Sequence, residues 1–355
     1  MRRPPRPIFA APILLALAGL LAACGSDDGS TTDTGLTTGP TTGPIEGAGK
    51  LTIYSGRGED LVQPIIDRFT EVTGIETEVR YGDSAEMLLL IQEEGDNSPA
   101  DVYYSQGAGF LGELSANGDL AQLDDELLAD VPEALRSPAG DWVGLSGRAR
   151  VVVYNTGELT EDDVPDSILD LVDPEWEGRI GWAPTNASFQ DFVTALRALE
   201  GEDAARSWLE GIIANGAVPY ENNVAIVEAV AAGEISVGLV NHYYLYRFLA
   251  EDAEYPAANK YFADGDPGAL VNIAGAGVLA TTDQPEAAGA LLDFLLSPEA
   301  QEYFAQETFE IPVVEGTPTA AELPTLDSLT LPEFDLNLLA DLEGTIELLT
   351  DLGAL

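Results

Sequence analysis

The sequence has 355 residues, of which 62 are acidic and 15 basic, so its formal net charge at pH 7 is −47. A chain this acidic repels nucleic acid and anionic lipid, and neither is expected as a partner. The sequence holds one cysteine and one histidine, which excludes a disulfide framework and leaves almost no room for Ser–His or Cys–His catalysis. No nucleophile elbow, Walker A loop, HExxH pair or CxxC pair occurs.

The N-terminus has the pattern of a bacterial lipoprotein signal. Three arginines precede an apolar segment, residues 8–23, which is too short for a comfortable membrane span. Cys24 follows Leu-Ala-Ala at the position where a lipobox carries the acylated cysteine. We therefore predict a signal peptide over residues 1–23, lipidation of Cys24, and a protein held at the outer face of the cell membrane only by that anchor. Residues 24–49 are rich in Gly, Ser and Thr and predict a disordered tether.

From residue 50 the sequence alternates between strands and helices. Strands are predicted at residues 51–54, 75–81 and 100–104 because their apolar residues form short runs or alternate. Helical spacing of apolar residues predicts helices through 62–72 and 84–94. The order βαβαβ indicates a right-handed, mostly parallel sheet.

A second series of elements follows a strand that carries two arginines. Residues 146–154 alternate so that Arg148 and Arg150 share one face, and this strand is predicted to cross between two domains. Residues 267–279 are long enough to return to the first domain. The other predicted elements are strands at 179–183 and 235–240 and helices through 189–199, 222–232, 285–296, 298–306 and 336–352.

Two polar segments lie where predicted strands end. Residues 184–188 place hydroxyl and amide groups at a helix start, where free backbone N–H groups bind anions. Thr185 or Asn186 acting only as a helix cap explains the same pattern. The strand 235–240 ends in Asn241, His242, Tyr243 and Tyr244, at the edge where open α/β sheets bind ligands.

The two tyrosines allow two interpretations. They are either core or rim aromatics, or phenolate ligands beside a strong positive charge, since a free phenol ionises only at a pKa of about 10. The single histidine, His242, is predicted to be a local structural residue.

Several segments together resemble the ferric-ion-binding periplasmic proteins, the substrate-binding subunits of bacterial ABC iron importers. The segments are, in chain order, LTIYSGRGED, EEGDNSPADVYYSQ, SGRARVVVYN, DPEWEGRIGWAPTNASF, ENNVAIVEAVAAGE, VNHYYLYRF and DPGALVNIAGAGVLA. The resemblance covers residues 50–315 and implies a type II periplasmic-binding-protein fold, with a ligand cleft between two α/β domains joined by crossover strands. We assign residues 50–149 and 276–318 to domain I, and residues 150–275 and 319–355 to domain II.

The resemblance also implies a ligand and its binding residues. Tyr243 and Tyr244 match the two adjacent tyrosines that bind Fe3+ in the family. A synergistic anion, phosphate or carbonate, is implied at Asn186, Ala187 and Ser188, near Asn241. A hard trivalent cation prefers oxygen donors, and binding to phenolates should release protons and weaken in acid.

Three positions depart from the family pattern. Gly58 stands where many members have a histidine, Gln106 where they have a carboxylate, and Phe189 where some have a third tyrosine. Further groups that could complete the site are Gln106 itself, Glu59, Asp60 or water. Arg148 or Arg150 could pair with the anion, whereas an ordinary salt bridge is the favoured alternative for either arginine in so acidic a protein.

The resemblance implies a monomeric binding protein without enzymatic activity. It would capture Fe3+ outside the membrane and deliver it to an ABC permease and its ATPase. One alternative is a binding protein for an anionic or organic solute, with the tyrosines as a stacking clamp. Another is a sensor or adhesion lipoprotein without a role in transport.

Overall fold

The computed structural model describes residues 49–320, 323–332 and 334–355. The predicted signal peptide, Cys24 and nearly all of the predicted tether lie outside these residues. Within the described part of the chain no helix is long and apolar enough to cross a membrane.

The centre of the fold is one mixed sheet. Its path runs β2-β1-β3-β9-β4-β7-β5-β6, with β8 and β10 paired to β4. The pairs β1–β2, β1–β3, β5–β6 and β5–β7 are parallel, whereas every pair that involves β4 or β9 is antiparallel. The strands are β1 Leu51–Ser55, β2 Thr77–Tyr81, β3 Val102–Ser105, β4 Trp142–Asn155, β5 Ile180–Trp182, β6 Val218–Pro219, β7 Val237–Asn241, β8 Ala257–Lys260, β9 Val271–Val278 and β10 Ile311–Pro312.

Helices cover the sheet, and most begin and end close to the predicted residues. Three helices were not predicted: Ala108–Asn117, Asp125–Ala129 and Glu202–Ala214. The helices are α1 Glu59–Thr73, α2 Ser84–Glu94, α3 Ala108–Asn117, α4 Asp125–Ala129, α5 Ala187–Glu200, α6 Glu202–Ala214, α7 Asn223–Ala232, α8 Tyr243–Glu251, α9 Pro285–Leu295, α10 Pro298–Gln306 and α11 Leu342–Asp351.

Strand β4 joins the two parts of the sheet. It is 14 residues long and buried throughout. Residues 142–149 pair with β9, whereas residues 150–154 pair with β7. Arg148 and Arg150 are buried. They lie at the point where the strand that pairs with β4 changes from β9 to β7.

The buried apolar residues form separate clusters on the two sides of this junction. The first cluster contains residues of β1, β3 and helices α1, α2, α3, α9 and α10. Two further clusters are formed by buried apolar residues between 151 and 262. One of them also includes residues of α11 near the end of the chain. Leu270, Ile273 and Leu336 belong to the first cluster, although our domain boundaries assign them to domain II. The boundaries themselves stay a prediction.

The predicted helix 336–352 is wrong in one respect, because the segment is broken. A 3-10 helix, Leu336–Ala340, is followed by α11, with Asp341 between them. The 3-10 turn lies directly on α3, where a Cβ at Gly109 would come within 2.5 Å of the Leu339 carbonyl oxygen. Helix α11 instead contributes residues to the second cluster, so the chain has to change direction between the two packing surfaces.

Candidate metal and anion site

The start of helix α8 is fixed against strand β4 by His242. The His242 backbone N–H donates to the Ala149 carbonyl at 2.9 Å, and the ring Nδ1 accepts from the Ala149 N–H at 3.1 Å. The ring is fully buried, and burial lowers the pKa of His242 to about 4, so the imidazole is neutral. These contacts agree with the predicted structural role of His242.

The next two residues, Tyr243 and Tyr244, form a stacked pair. Their ring centroids are 4.2 Å apart, with an angle of 28° between the ring planes. Tyr243 is 2% exposed, whereas Tyr244 is partly exposed. Burial, followed by the neighbouring Tyr244, raises the pKa of Tyr243, while Arg57 and Arg148 act in the opposite direction. Without a bound cation the Tyr243 phenol is therefore protonated at neutral pH.

The predicted anion segment is the capped start of α5. The Asn186 side-chain oxygen accepts from the Ser188 N–H at 3.1 Å and from the Ser188 hydroxyl at 2.6 Å. Asn186 is thus a helix cap, the alternative that the sequence left open. The amide of Asn223 donates to the same oxygen at 3.2 Å, and its own oxygen accepts from the Asn241 N–H at 3.3 Å.

Asn223, which lies at the start of α7, was missed by the sequence analysis. It is buried and connects the two segments that the resemblance had assigned to the anion. The only sequence signal for Asn223 was its position in the ENNVAIV segment. A polar residue at a helix start ordinarily indicates a cap and not a binding residue.

Arg150 lies beside this helix start. Its NH1 is 3.4 Å from both the Ser188 hydroxyl and the Asn241 side-chain oxygen. The guanidinium lies over the rings of Phe189 and Phe192, at 5.7 and 5.6 Å from their centroids. Its Nε and NH2 are buried without a hydrogen-bond partner, and no ion pair with Arg150 occurs in the described residues. Burial lowers the pKa of Arg150 to about 10, which still leaves the group charged at neutral pH.

Arg148 is the neighbouring arginine on the same face of β4. Its NH2 donates to the carbonyls of Ile273, at 2.9 Å, and Gln106. Its Nε lies 4.0 Å from a carboxylate oxygen of Glu310. Arg148 thus forms the ordinary salt bridge that the sequence allowed, with Glu310, at the limit of ion-pair distance. Both Nε and NH1 lack a hydrogen-bond partner, and the side chain is 1% exposed.

Arg57 is a third buried arginine, and no pattern in the sequence singles it out. Its NH2 is 2.6 Å from a Glu310 carboxylate oxygen, and both side chains are 2% exposed. Burial alone would lower the pKa of Arg57, but the Glu310 carboxylate and the phenols of Tyr243 and Tyr104 raise it above its ordinary value. A permanent positive charge thus lies near the tyrosine pair.

The accessory residues that the sequence suggested lie in different environments. Glu59 and Asp60 are exposed in the first turn of α1, and Asp60 forms an ion pair of 3.6 Å with Arg247 of α8. The Gln106 side chain is half-buried, while its backbone N–H donates to the Ser84 hydroxyl at 2.9 Å.

The described residues contain no group of three or more His, Cys, Asp or Glu side chains that could hold a metal ion. Tyr243 and Tyr244 place two phenol oxygens in this region, and an ionised phenol is a donor that a hard cation prefers.

Comparisons with known proteins place the chain in a family. The family model of the bacterial extracellular solute-binding proteins matches residues 97–335 of this chain. The major ferric iron-binding protein of Neisseria meningitidis serogroup B is 34% identical over 310 residues, which cover 85% of this chain and 92% of that protein.

Solved structures agree with that assignment. Iron-bound HitA from Pseudomonas aeruginosa superposes with a TM-score of 0.80 at 35% identity, over 86% of this chain and 99% of that one. Trichodesmium FutA in complex with iron and citrate ligands gives a TM-score of 0.77 at 32% identity, over 86% and 99% of the two chains. The predicted periplasmic-binding-protein fold and the recognised family are confirmed. The chain belongs to the bacterial extracellular solute-binding proteins, among relatives named for binding ferric iron.

Proposed function

We propose that this protein captures Fe3+ outside the cytoplasm and delivers it to an ABC permease with its ATPase. The observation that carries the proposal is the stacked, largely buried pair Tyr243 and Tyr244 at the end of strand β7. A phenolate is a charged oxygen donor, which a hard trivalent cation prefers. The names of the relatives point to the same ion.

An anion completes the site in this proposal. Asn186, Ala187 and Ser188 offer the start of α5, and Asn241 lies within reach of the same guanidinium, that of Arg150. The two unpartnered nitrogens of Arg150 support an oxyanion here, phosphate or carbonate, because guanidinium donates pairs of parallel hydrogen bonds to such groups.

The remaining parts of the proposal come from the N-terminal pattern and the family. Acylation at Cys24 would hold the protein at the outer face of the membrane. The protein acts as a monomer and as a carrier without enzymatic activity.

A second candidate is an anionic solute bound without iron. It is favoured by the free donors of Arg150, and in that case the stacked tyrosines would act as an aromatic clamp. The same experiment separates the two candidates.

Competition for ferric iron against a chelator, with the purified protein in anion-depleted buffer and then with phosphate or carbonate added, tests the proposal. We expect iron binding that the anion strengthens, since two phenolates leave one charge of Fe3+ uncompensated. Binding of phosphate alone, with no uptake of iron in any buffer, would favour the second candidate and contradict the first.

A further inference from the structure

A groove with a volume of about 880 Å³ runs along helix α9, between the end of α1, the segment that leads into α4, and the start of α10. Helix α1 begins at Glu59, beside the candidate metal site, whereas Val72 and Thr73 near its other end line the groove. The rise of about 1.5 Å per residue puts the groove about 20 Å from the start of α1. The groove is therefore separate from the candidate metal site.

The floor of the groove is apolar and only partly covered. The partly exposed side chains on it pack against the first cluster from outside, and they are Ala121, Leu123, Ala290 and Phe294. An exposed apolar patch with a polar rim is typical of an interaction surface. The floor therefore indicates that something outside the described chain covers it.

The face of α9 that lines the groove has a glycine in its middle. Gly289 shares this face with Glu286 and Asp293, which lie three residues before it and four residues after it. A Cβ at Gly289 would have no other atom within 4 Å, so packing within this chain does not require glycine here. Glycine inside a helix is destabilising relative to alanine. Close approach of a partner's backbone to α9 accounts for the missing side chain.

The rim of the groove is negatively charged. Asp124, Glu286 and Asp293 line it, and no Lys or Arg occurs among the described residues that do so. A fourth lining carboxylate, Glu299, is already paired with Arg68 at 2.6 Å. Burial, followed by the carboxylate of Asp124, raises the pKa of Asp293, as expected where like charges face one another. Positive charge on a partner would relieve this repulsion.

Charge disfavours the two occupants that this protein itself could provide. The predicted tether joins the described chain at the edge of the groove, where the Gly49 N–H donates to the Gln284 side-chain oxygen at 2.9 Å, one residue before α9 begins. However, residues 24–48 contain no Lys or Arg, and they contain Asp27, Asp28, Asp33 and Glu46. A second copy of so acidic a chain would be repelled in the same way. The occupant that fits is a basic segment of another protein.

We propose that the groove is the docking site for an amphipathic helix of a partner protein, with an apolar face and basic residues along its flanks. The apolar face would cover the floor between Leu123 and Phe294 and cross α9 at Gly289. Basic side chains on the flanks would face Glu286 and Asp293. Recognition of a helix in a groove combines apolar anchors at helical spacing with complementary charge at the rim. The proposal does not depend on iron binding.

A synthetic peptide tests the proposal. The probe is a fluorescently labelled helix of about 18 residues, or five turns, with Leu on one face and Lys at the other positions. A second peptide, with Glu in place of every Lys, is the control. Fluorescence anisotropy at about 0.15 M salt, where long-range attraction is screened, should show saturable one-to-one binding of the Lys peptide by the purified protein. The Glu peptide should not bind.

The variant Gly289→Gln locates the binding. The added side chain fills the point where the partner helix crosses α9, so affinity for the Lys peptide should fall by at least about tenfold. The melting temperature of the free protein should stay unchanged or rise, because Gln is the better helix former and the space around Gly289 is open. A merely structural role for Gly289 would not give these opposite signs. Ala204→Gln is the matched control, because it adds the same side chain at an exposed position of α6.

A second pair of variants tests the charge of the rim. Asp293→Asn should weaken binding of the Lys peptide by about two- to fivefold, the size typical of an exposed ion pair. Asp203→Asn removes the same charge from an exposed position of α6 and should leave the affinity unchanged.

Three results would overturn the proposal. The first is no saturable binding of the Lys peptide. The second is undiminished affinity in Gly289→Gln. The third is an equal loss in Asp293→Asn and Asp203→Asn, which would mean that the peptide is attracted to the negative charge of the whole protein. This last comparison also decides the question if Gly289→Gln does not fold.

Discussion

The two sides of the candidate site differ in the charge that they bring. One side, from the second and third hydrophobic clusters, carries Tyr243, Tyr244 and the capped start of α5. The other side, from the first cluster, carries the buried Arg57 next to Gly58. On the proposed assignment, one side supplies the oxygen donors for the metal. That side also holds the proposed anion segment at the α5 start, whereas the other side adds a buried guanidinium that is already paired with Glu310.

Replacement of either tyrosine by phenylalanine should have the largest effect. Tyr243→Phe and Tyr244→Phe each remove a charged donor, so each should cost more than the about 10- to 100-fold loss of affinity typical of residues that only orient a ligand. Iron affinity, measured by chelator competition, checks this expectation. Tyr255→Phe is the matched control, because Tyr255 stacks on Phe248 of the same helix, 4.8 Å between ring centroids. Full affinity in both single variants would place the metal elsewhere.

The buried carboxyl of Asp191 gives a second prediction, on stability. It accepts a 2.6 Å hydrogen bond from the Asn272 amide, and burial raises its pKa to about 6 from an ordinary value of 3.8. A raised pKa means that the folded state holds the proton more tightly than the unfolded state. Stability is therefore lost as the pH rises from about 4 through 6. Asp191→Asn should make the ligand-free protein more stable by about 2–3 kcal/mol above pH 7.

Urea denaturation of Asp191→Asn and of the wild type, across pH 4 to 8, measures this difference. The difference should be small near pH 4, where the folded carboxyl is protonated and the unfolded carboxyl is about half protonated, and should reach its maximum above about pH 7. Asp67→Asn serves as the control, because Asp67 is exposed on α1. A variant that is less stable than the wild type at neutral pH would mean that the charge of Asp191 stabilises Arg148 and Arg150 by more than its burial costs.

The exposed contact between the two sides should matter least. Arg247 and Asp60 join α8 to α1 at 3.6 Å, with side chains that are 46% and 68% exposed. Ion pairs of this kind contribute about 0–1 kcal/mol. Arg247→Gln should therefore change iron affinity by at most about fivefold, and the small effect should shrink further at high salt. A loss as large as that in the tyrosine variants would mean that the contact between α8 and α1 controls iron binding.

Local patterns were sufficient to predict most of the fold. A buried apolar run followed by polar residues was enough to predict the strand that ends at Asn241. The break at Asp341 was not predicted, because it depends on α3 presenting Gly109 to the backbone of the tail. An amphipathic pattern does not reveal which surface a helix will meet.

The site was predicted only in part, for a similar reason. The tyrosine pair and the α5 start stand out within a few residues of sequence. The role of Arg57 depends on Glu310, which lies 253 residues away along the chain. Asn223 likewise acquires its role only where α7 meets the start of α5. Charges that are paired across the fold leave no local signal.

The visible spectrum of the ferric-loaded protein tests the central claim most directly. If Tyr243 and Tyr244 are the ligands, adding one equivalent of ferric iron with an anion should produce a phenolate-to-metal charge-transfer band. Resonance Raman excitation within that band should enhance tyrosinate ring modes. Both signals should vanish in the Tyr243→Phe/Tyr244→Phe double variant and persist in Tyr255→Phe. A tight ferric complex without the band, or a band that survives in the double variant, would contradict the account.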